Sequence, residues 1–301
     1  MTEPATILVV DDSALDRRLA GALLAKDPTL RPVYAKDGLE ALAEIERERP
    51  AAVVTDLQMP GMNGLELVEA VRKRYPALPI VLMTAHGSEE IAMLALRTGA
   101  ASYVPKRRLA EELVTIVRDL VSLRRVRRTS DPGLEPGARR DDGEAKRFSI
   151  GNDIGEATDF LAQVESDVAR VGVCDETGAM QIGVALREAL ANAVFHGNLE
   201  VSSELLEHGG SAFSDLASER RKQAPYASRR VRIEARIDAS QVVFIIEDDG
   251  PGFDPGSLPD PLDLSNLEKP SGRGLMLIRT FMDDVTFNER GNQIRMVKRK
   301  A

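Results

Sequence analysis

The sequence predicts two domains of different fold class, and three observations carry this prediction. Short apolar runs alternate with helical patterns from residue 6 to about 124, which is typical of an α/β domain with a doubly wound, five-stranded parallel sheet. A charged segment with two Pro-Gly breaks follows and has almost no large apolar residues. Strand patterns that follow one another, with helices beside them, then predict an α+β two-layer sandwich. The predicted boundaries are 1–124, a linker at 125–147, and 148–301.

Five short runs are the predicted strands of the first domain. ILVV (7–10), AVVT (52–55) and PIVLMTA (79–85) each adjoin a helical pattern. RPVYAKDG (31–38) and ASYVPK (101–106) contain the other two strands. Because such runs alternate with helices, we expect parallel βαβ units.

The last helical pattern of the first domain has two interpretations. Its apolar residues recur in steps of four and three, at Leu109, Leu113, Ile116, Leu120 and Leu123. Such a helix packs on its own sheet, or forms a dimer coiled coil if it extends beyond the domain. The heptads are few, which favours packing on the sheet and leaves a homodimer open.

The second domain shows paired strands and three helical stretches. Helical patterns cover 156–171 and the region near 180–196. VRIEARI (231–237) and VVFIIEDD (242–249) are separated by a short polar turn and predict a hairpin. After a further helical stretch, VTFNERGNQIRMVKR (285–299) predicts a closing hairpin.

Composition excludes several classes of function. The 301 residues carry a net charge of −8, which argues against general nucleic-acid binding. A single cysteine, Cys174, allows no intramolecular disulfide and fits a reducing compartment. The apolar runs are too short to span a bilayer, and MTEPATILVVDD lacks the basic start of a secretory signal. We expect a cytoplasmic protein with neither nucleic acid nor a membrane as partner.

Polar residues follow the predicted parallel strands where sites form in doubly wound sheets. Asp11 and Asp12 come after the first strand, and Asp56 after the third. Clustered carboxylates repel one another unless a cation lies between them, and Mg²⁺ prefers oxygen ligands. Thr84 and Lys106 end two further strands. A carboxylate beside a divalent cation and a lysine can accept a phosphoryl group, because both cations offset the developing charge.

Four motifs resemble the receiver domain of two-component response regulators. They are VVDDS (9–13), TDLQMPGMNG (55–64), MTA (83–85) and YVPK (103–106). The resemblance covers about residues 5–124 and implies a flavodoxin-like fold. It also implies an upstream histidine kinase or phosphotransfer protein as phosphodonor.

The resemblance assigns a role to each matched residue of the first domain. Asp56 is the expected phosphoacceptor, and Mg²⁺ is expected to bind Asp11, Asp12, Asp56 and the backbone carbonyl of Gln58. In addition, Thr84 would contact the phosphoryl group, Lys106 would pair with it, and Tyr103 would switch with Thr84. Arg107 stands where receivers usually have proline after the lysine.

A second candidate site begins with REALANAVFHGN (187–198). Glu188, Asn192 and His196 step by four and are predicted to share one helical face. That face is either solvated or one wall of a site. Glu188 can act as a general base and Asn192 can offer an oxygen to Mg²⁺.

Two glycine-rich turns later in the chain favour a site. EDDGPGFDP (247–255) ends a strand in a turn, and Asp248 can accept a hydrogen bond from an exocyclic amine such as that of adenine. SGRGLMLI (271–278) places glycines directly before a helix, whose free N–H groups can bind phosphate oxygens.

The order of these pieces resembles the ATPase fold shared by histidine kinases, gyrase, Hsp90 chaperones and anti-sigma-factor serine kinases. The resemblance covers about 148–301 and implies a Bergerat-type fold that binds ATP and Mg²⁺. It implies an ATP lid between Phe253 and Ser271, and residues 199–229 form an insertion with no role beyond a partner surface. The matched residues are Glu188, Asn192, His196 and Gly197 (N-box), Asp248, Gly250 and Gly252 (first glycine box), and Gly272, Arg273, Gly274 and Leu275 (second glycine box).

The resemblance narrows to one class within that family. No His-Glu or His-Asp dyad precedes the ATP domain, so a phosphoacceptor histidine is not expected; the three histidines are His86, His196 and His208. Gyrase and chaperone types need a further domain that supplies a lysine, and none is expected after residue 301. HGN and LIRTFMDDV (277–285) look most like the anti-sigma-factor kinases, which phosphorylate an anti-anti-sigma-type protein and often bind a sigma factor.

Two functions of different class therefore remain. The first is a protein serine/threonine kinase gated by phosphorylation of Asp56, with Glu188 as the base. The second is an ATP-liganded binding module that sequesters a sigma factor or another protein without phosphorylating it. Glu188 favours the kinase, because a pure binder needs no base.

Overall fold

The structure is a computed structural model, and it describes residues 3–85, 88–129, 145–206, 210–258 and 272–300. The chain forms two compact units, Met1–Arg125 and Val126–Ala301. His86, His208 and much of the predicted lid lie outside the described residues. Within the described part of the chain, none of the helices combines the length and the apolar character that a bilayer crossing requires.

The first unit contains the predicted five-stranded parallel sheet. Its strand order is β2-β1-β3-β4-β5, so strands on either side of β1 are reached by opposite crossovers, as a doubly wound fold requires. The prediction of this fold is confirmed. The strands are β1 Ala5–Val10, β2 Leu30–Ala35, β3 Ala52–Asp56, β4 Ile80–Thr84 and β5 Ser102–Pro105.

Local capping explains where several helices of this unit begin. The Ser13 hydroxyl and the Asp37 carboxylate accept backbone N–H groups of the following turn. Asn63 and Glu66 form a reciprocal capping box. The helices are α1 Ala14–Leu24, α2 Gly38–Glu48, α3 Gly64–Arg74, α4 Glu89–Thr98 and α5 Leu109–Thr129.

The central strands are buried on both faces, because helices cover the sheet from both sides. All residues of β3 and β4 are buried. Helix α5 buries Leu109, Leu113, Ile116 and Leu120. Their burial agrees with the prediction that this helix packs on its own sheet.

The second unit contains a five-stranded antiparallel sheet of order β6-β7-β8-β10-β9, with helices beside it. This confirms the predicted α+β class, including both hairpins. Strand β6, which begins two residues before Phe148, is not among the predicted strands. The strands are β6 Lys146–Ile150, β7 Val231–Ile237, β8 Gln241–Asp248, β9 Asp284–Phe287 and β10 Gln293–Arg299.

The helices of the second unit include a change of helix type. They are α6 Thr158–Val171, α7 Glu176–Ala191, α8 Gly210–Arg220 and α9 Arg273–Phe281. Helix α7 continues into a π-helical turn, Asn192–Asn198, in which the Leu199 N–H donates to the Val194 carbonyl.

The π turn contains His196, the third residue of the predicted common face with Glu188 and Asn192. His196 Nδ1 lies 2.6 Å from the Val201 carbonyl oxygen, and its ring meets Phe213 edge-on. His196 therefore contacts the insertion.

Candidate functional site

The carboxyl edge of the parallel sheet brings the predicted receiver residues together. Ligand atoms of Asp11, Asp12 and Asp56 all lie within 4.8 Å of one another. Asp11 and Asp56 are buried, and Asp12 is exposed. Lys106 Nζ lies 2.9 Å from Asp11 Oδ2 and 3.2 Å from Asp56 Oδ2. The lysine reaches the cluster although Arg107 follows it in place of the usual proline.

Sequence reasoning missed one member of this cluster, Asp16. Its Oδ2 lies 3.1 Å from Lys106 Nζ. The signal was present, because Asp16 lies in the first turn of the helix that follows Asp11 and Asp12. Three carboxylates, those of Asp11, Asp16 and Asp56, therefore lie within ion-pair distance of one ammonium group.

The electrostatics of the cluster depend on burial. Burial raises the pKa of Asp56, and the charge of Lys106 only partly offsets this effect. Burial also acts to lower the pKa of Lys106, but the hydrogen bond to Asp11 and the charge of Asp56 outweigh it and raise that pKa. An all-oxygen set with excess negative charge suits Mg²⁺, so the residues present fit this ion.

The remaining predicted receiver residues lie on the same edge or beneath it. Thr84 ends β4 beside the strand that ends in Asp56, and it is buried. Gln58 follows Leu57, whose N–H donates to Asp56 Oδ1 at 2.8 Å. The Tyr103 side chain is buried in β5, opposite Leu82.

A second site lies in the other unit, where two of the three glycine-containing motifs meet. The carboxyl of Asp248 is buried at the end of β8, and its Oδ1 accepts the Gly250 N–H at 2.8 Å. A Cβ on Gly197 would lie 2.4 Å from Asp248 Cγ, and a Cβ on Gly250 would lie 2.3 Å from the Gly197 carbonyl oxygen. Only glycine permits this approach of the N-box to the first glycine box.

The third motif also meets the N-box. Gly272 has a φ of 101° and precedes α9, which begins at Arg273. A Cβ on Gly274 would lie 2.7 Å from Glu188 Oε2 and 3.7 Å from Asn192 Nδ2. The start of α9 therefore lies directly against the predicted base and the predicted metal ligand.

The pKa values at this site follow from burial. Desolvation raises the pKa of Asp248 to about 6, although the Gly250 hydrogen bond acts in the opposite direction. At neutral pH the carboxylate is mainly ionised and can accept a hydrogen bond from an amine. Burial lowers the pKa of His196, so its neutral ring donates to the Val201 carbonyl.

One unit thus carries an acidic cluster at the carboxyl edge of a parallel sheet, and the other a glycine-lined site beside a buried carboxyl. Residues 7–118 match the family model of the response regulator receiver domain. Residues 154–298 match that of the histidine kinase-like ATPase domain. The chain is a response regulator receiver domain followed by a histidine kinase-like ATPase domain.

Several curated proteins are similar over part of the chain. The response regulator protein FleR of Pseudomonas aeruginosa is 41% identical over 112 residues, which are 37% of this chain and 23% of that protein. The DNA-binding transcriptional regulator NtrC of Salmonella typhimurium is 36% identical over 121 residues, which are 38% of this chain and 24% of NtrC. The chain thus spans about a quarter of the length of these relatives.

Solved structures show partial similarity as well. The signal receiver domain of the response regulator NarL from Mycobacterium tuberculosis is 31% identical, with a TM-score of 0.38 over 40% of this chain and 98% of that chain. The receiver domain of NtrX from Brucella abortus is 32% identical, with a TM-score of 0.37 over 38% of this chain and 97% of that chain.

Proposed function

We propose that this protein is a response regulator phosphorylated on Asp56 whose second domain binds Mg-ATP and phosphorylates a serine or threonine of a protein partner. The proposed kinase is of the anti-sigma-factor type, and its partner is an anti-anti-sigma-type protein in a partner-switching pathway. The observation that carries this proposal is the approach of Gly274 to Glu188 and Asn192. It supports the proposal because the proposed base and the proposed metal ligand both lie next to the N-terminus of a helix.

The start of α9 is the proposed phosphate-binding element. The first N–H groups of a helix have no partners within the helix and attract anions. Gly272, Arg273 and Gly274 form this end of the helix, and the open space beside Gly272 lets a phosphate approach the backbone. Asn192 is the proposed ligand for Mg²⁺, which when bound would offset charge on the phosphate oxygens.

Glu188 is the proposed general base of the transfer. Its carboxylate takes the proton of the partner's hydroxyl group while that oxygen forms a bond to the γ-phosphorus. The bond between the γ-phosphorus and the bridging oxygen breaks, and ADP leaves. Glu188 lies one helical turn before Asn192, so the proposed base and the proposed metal ligand would both face the γ-phosphate.

The Asp248 carboxylate is the proposed group that recognises adenine. It is buried where β8 ends and accepts only one described hydrogen bond, from Gly250. Gly250 and Gly252 form the turn next to it, and the left-handed φ of 80° at Gly252 suits this turn. A buried acceptor of this kind favours binding of a base that carries an exocyclic amine over one that lacks it.

The receiver is the proposed input. The Asp56 carboxylate attacks the phosphorus of a phosphohistidine on an upstream kinase or phosphotransfer protein; the P–N bond breaks and an acyl phosphate forms. Lys106 pairs with the new charge and Thr84 contacts the phosphoryl oxygens. Mg²⁺ is assigned to Asp11, Asp12, Asp56 and the Gln58 carbonyl, and Tyr103 is the proposed switch residue.

The second candidate is an ATP-liganded module that sequesters a sigma factor or another partner without transferring phosphate. Such a module would bind ATP in the same site, but it would not need the carboxylate of Glu188 beside Gly274.

Label transfer from γ-labelled ATP to a purified anti-anti-sigma-type protein separates the two candidates. We expect transfer by the wild type and by Glu176→Gln, a matched change of an exposed glutamate on the same helix α7. Glu188→Gln should still bind ATP but transfer about 10²- to 10⁴-fold more slowly. If the wild type binds ATP but labels no partner, the proposed kinase activity is contradicted and the ATP-liganded binding module is favoured.

Control by the receiver is tested with beryllium fluoride, a phosphoryl mimic that binds the acceptor carboxylate. We expect the mimic to change the kinase rate of the wild type and to have no effect on Asp56→Asn. Equal rates with and without the mimic in the wild type would remove the proposed coupling.

A further inference from the structure

Asn198, the last residue of the π turn, is completely buried, and its side chain makes two hydrogen bonds across the fold. Its Oδ1 accepts the N–H of Asp249 at 2.9 Å. Its Nδ2 donates to Asn152 Oδ1 at 3.0 Å. Both ends of the amide are therefore engaged, and this fixes which atom faces Asp249.

The hydrogen bond to Asp249 acts on the peptide bond that follows Asp248. The other end of this peptide, the Asp248 carbonyl, accepts Asn292 Nδ2 at 2.7 Å. Asn198 and Asn292 thus hold the two ends of one peptide plane from opposite elements. The direction of the Asp248 side chain depends on this plane, because the peptide fixes the backbone angle next to its Cα.

Asn198 is connected to the insertion through Asn152. Asn152 Nδ2 donates to the Tyr226 carbonyl oxygen at 2.8 Å. The guanidinium carbons of Arg220 and Arg229 both lie 5.0 Å from the centroid of the Tyr226 ring. A chain of hydrogen bonds therefore runs from Tyr226 in the insertion to the backbone beside Asp248.

The two arginines also tie the insertion to the end of the N-box. Arg229 donates to the Asn198 carbonyl at 2.7 Å and to Glu200 Oε1 at 2.7 Å. Arg220 donates to the Leu199 and Glu200 carbonyls at 2.7 and 2.6 Å. A displacement of Tyr226 would therefore change the position of Asn198 in two ways. It would act through the bonds of the two arginines to the backbone, and through the side-chain amide of Asn152.

We propose that Asn198 is a positioning residue through which the insertion sets the base selectivity of the nucleotide site. This inference rests on the proposed nucleotide binding, and it identifies the residues that determine the base selectivity of that site. Because Asn198 orients the peptide after Asp248, its loss frees the carboxylate that recognises the exocyclic amine. The proposed phosphate-binding groups at the start of α9 do not involve this peptide, so the loss of Asn198 should leave them intact.

The test compares the affinities of the full chain for ATP and for ITP, in which an oxygen replaces the exocyclic amine of adenine. The wild type should prefer ATP. In Asn198→Ala we expect this preference to fall about five- to tenfold, with ITP affinity unchanged, since one buried hydrogen bond is lost. Asn152→Ala and Tyr226→Ala should each reduce the preference by a smaller factor, and Asn152→Ala should add little to Asn198→Ala.

Val168→Ala is the matched control for lost stability, because it opens a cavity in α6 and leaves this chain of hydrogen bonds intact. Its ATP preference should equal that of the wild type. If Asn198→Ala lowers the affinities for ATP and ITP by the same factor while the wild type prefers ATP, the positioning role is overturned. The proposed nucleotide site would not be contradicted by that result. If the wild type binds neither nucleotide, the proposed function fails, and the selectivity role fails with it.

Discussion

At the scale of single residues, burial makes the Asp248 charge destabilising, whereas ion pairs make the Lys106 charge stabilising. Asp248 is a carboxyl whose pKa rises to about 6 on burial. Lys106 is one cation among Asp11, Asp16 and Asp56.

Replacing Asp248 by asparagine should stabilise the second unit while removing its ATP preference. Asparagine keeps an oxygen for the Gly250 N–H but presents an amide donor to the amine of adenine. The folded-state pKa of Asp248 lies above its usual 3.8, so the wild type loses stability as pH rises from about 4 to 6. We expect the variant to be more stable at pH 8 by about 1–3 kcal/mol in urea unfolding.

The pH dependence distinguishes this cause from better packing. The gain of Asp248→Asn should shrink as pH falls from 7 toward 4, where the folded wild type carries a neutral carboxyl. Arg229, Arg290 and Asp249 also face this carboxyl. A gain that is the same at pH 4.5 and pH 8 would contradict the assignment.

Replacing Lys106 by methionine should make the receiver depend on Mg²⁺. Without the ammonium group the carboxylates repel one another, and we expect the free energy of unfolding to fall by about 1–3 kcal/mol in EDTA. Added MgCl₂ should raise the melting temperature more in the variant than in the wild type. Arg107→Met is the matched control at the neighbouring position, and an equal response to MgCl₂ in both variants would contradict the prediction.

At the scale of elements, the start of α9 joins the two halves of the nucleotide site. Gly274 lies against Glu188, and Gly272 precedes it in a left-handed conformation. The two glycines are therefore required for different reasons. Gly274 leaves room for a neighbouring side chain, and Gly272 allows a backbone angle that other residues rarely adopt.

Gly274→Ala should reduce phosphoryl transfer without reducing stability. The new methyl group would displace the flexible end of Glu188, and alanine favours a helix over glycine by about 0.5–1 kcal/mol. Gly272→Ala should show the opposite pattern in stability, because nothing lies near its Cβ but its φ of 101° strains any side chain. Thermal unfolding and label transfer measured on both variants check this; a destabilised Gly274→Ala would contradict it.

At the scale of the whole molecule, the chain consists of two compact units, each with its own sheet and core. Each unit also carries its own candidate ligand site, so ligands should act on the units separately. A ligand that binds only the folded state stabilises it by about 2.7 kcal/mol at a hundred times its Kd.

Calorimetry should therefore show two unfolding transitions with different ligand responses. We expect MgCl₂ with beryllium fluoride to raise one transition, and this effect should disappear in Asp56→Asn. ATP with MgCl₂ should raise the other, and this effect should be smaller in Asp248→Asn. A single transition that both ligands raise would show that the units unfold as one.

The sequence predicted most of the receiver site because its residues lie at the ends of strands. The position of a residue at a strand end follows from local pattern, and parallel strands then bring Asp11, Asp56 and Lys106 to one edge. Asp16 was missed because its contact with Lys106 depends on how α1 begins. Strand β6 was missed because four of its five residues are exposed, so it lacks an apolar pattern.

By itself, the sequence determined the two fold classes, the order of the domains and the residues of both motif sets, since these depend on periodicity and spacing along the chain. Only the tertiary structure decided the π turn, the contact of His196 with the insertion and the burial that raises the pKa of Asp248. It alone shows Asn198 between Asp249 and Asn152, residues that are 51 and 46 positions away. Such contacts join elements distant in sequence, and their geometry is set by packing that no local pattern encodes.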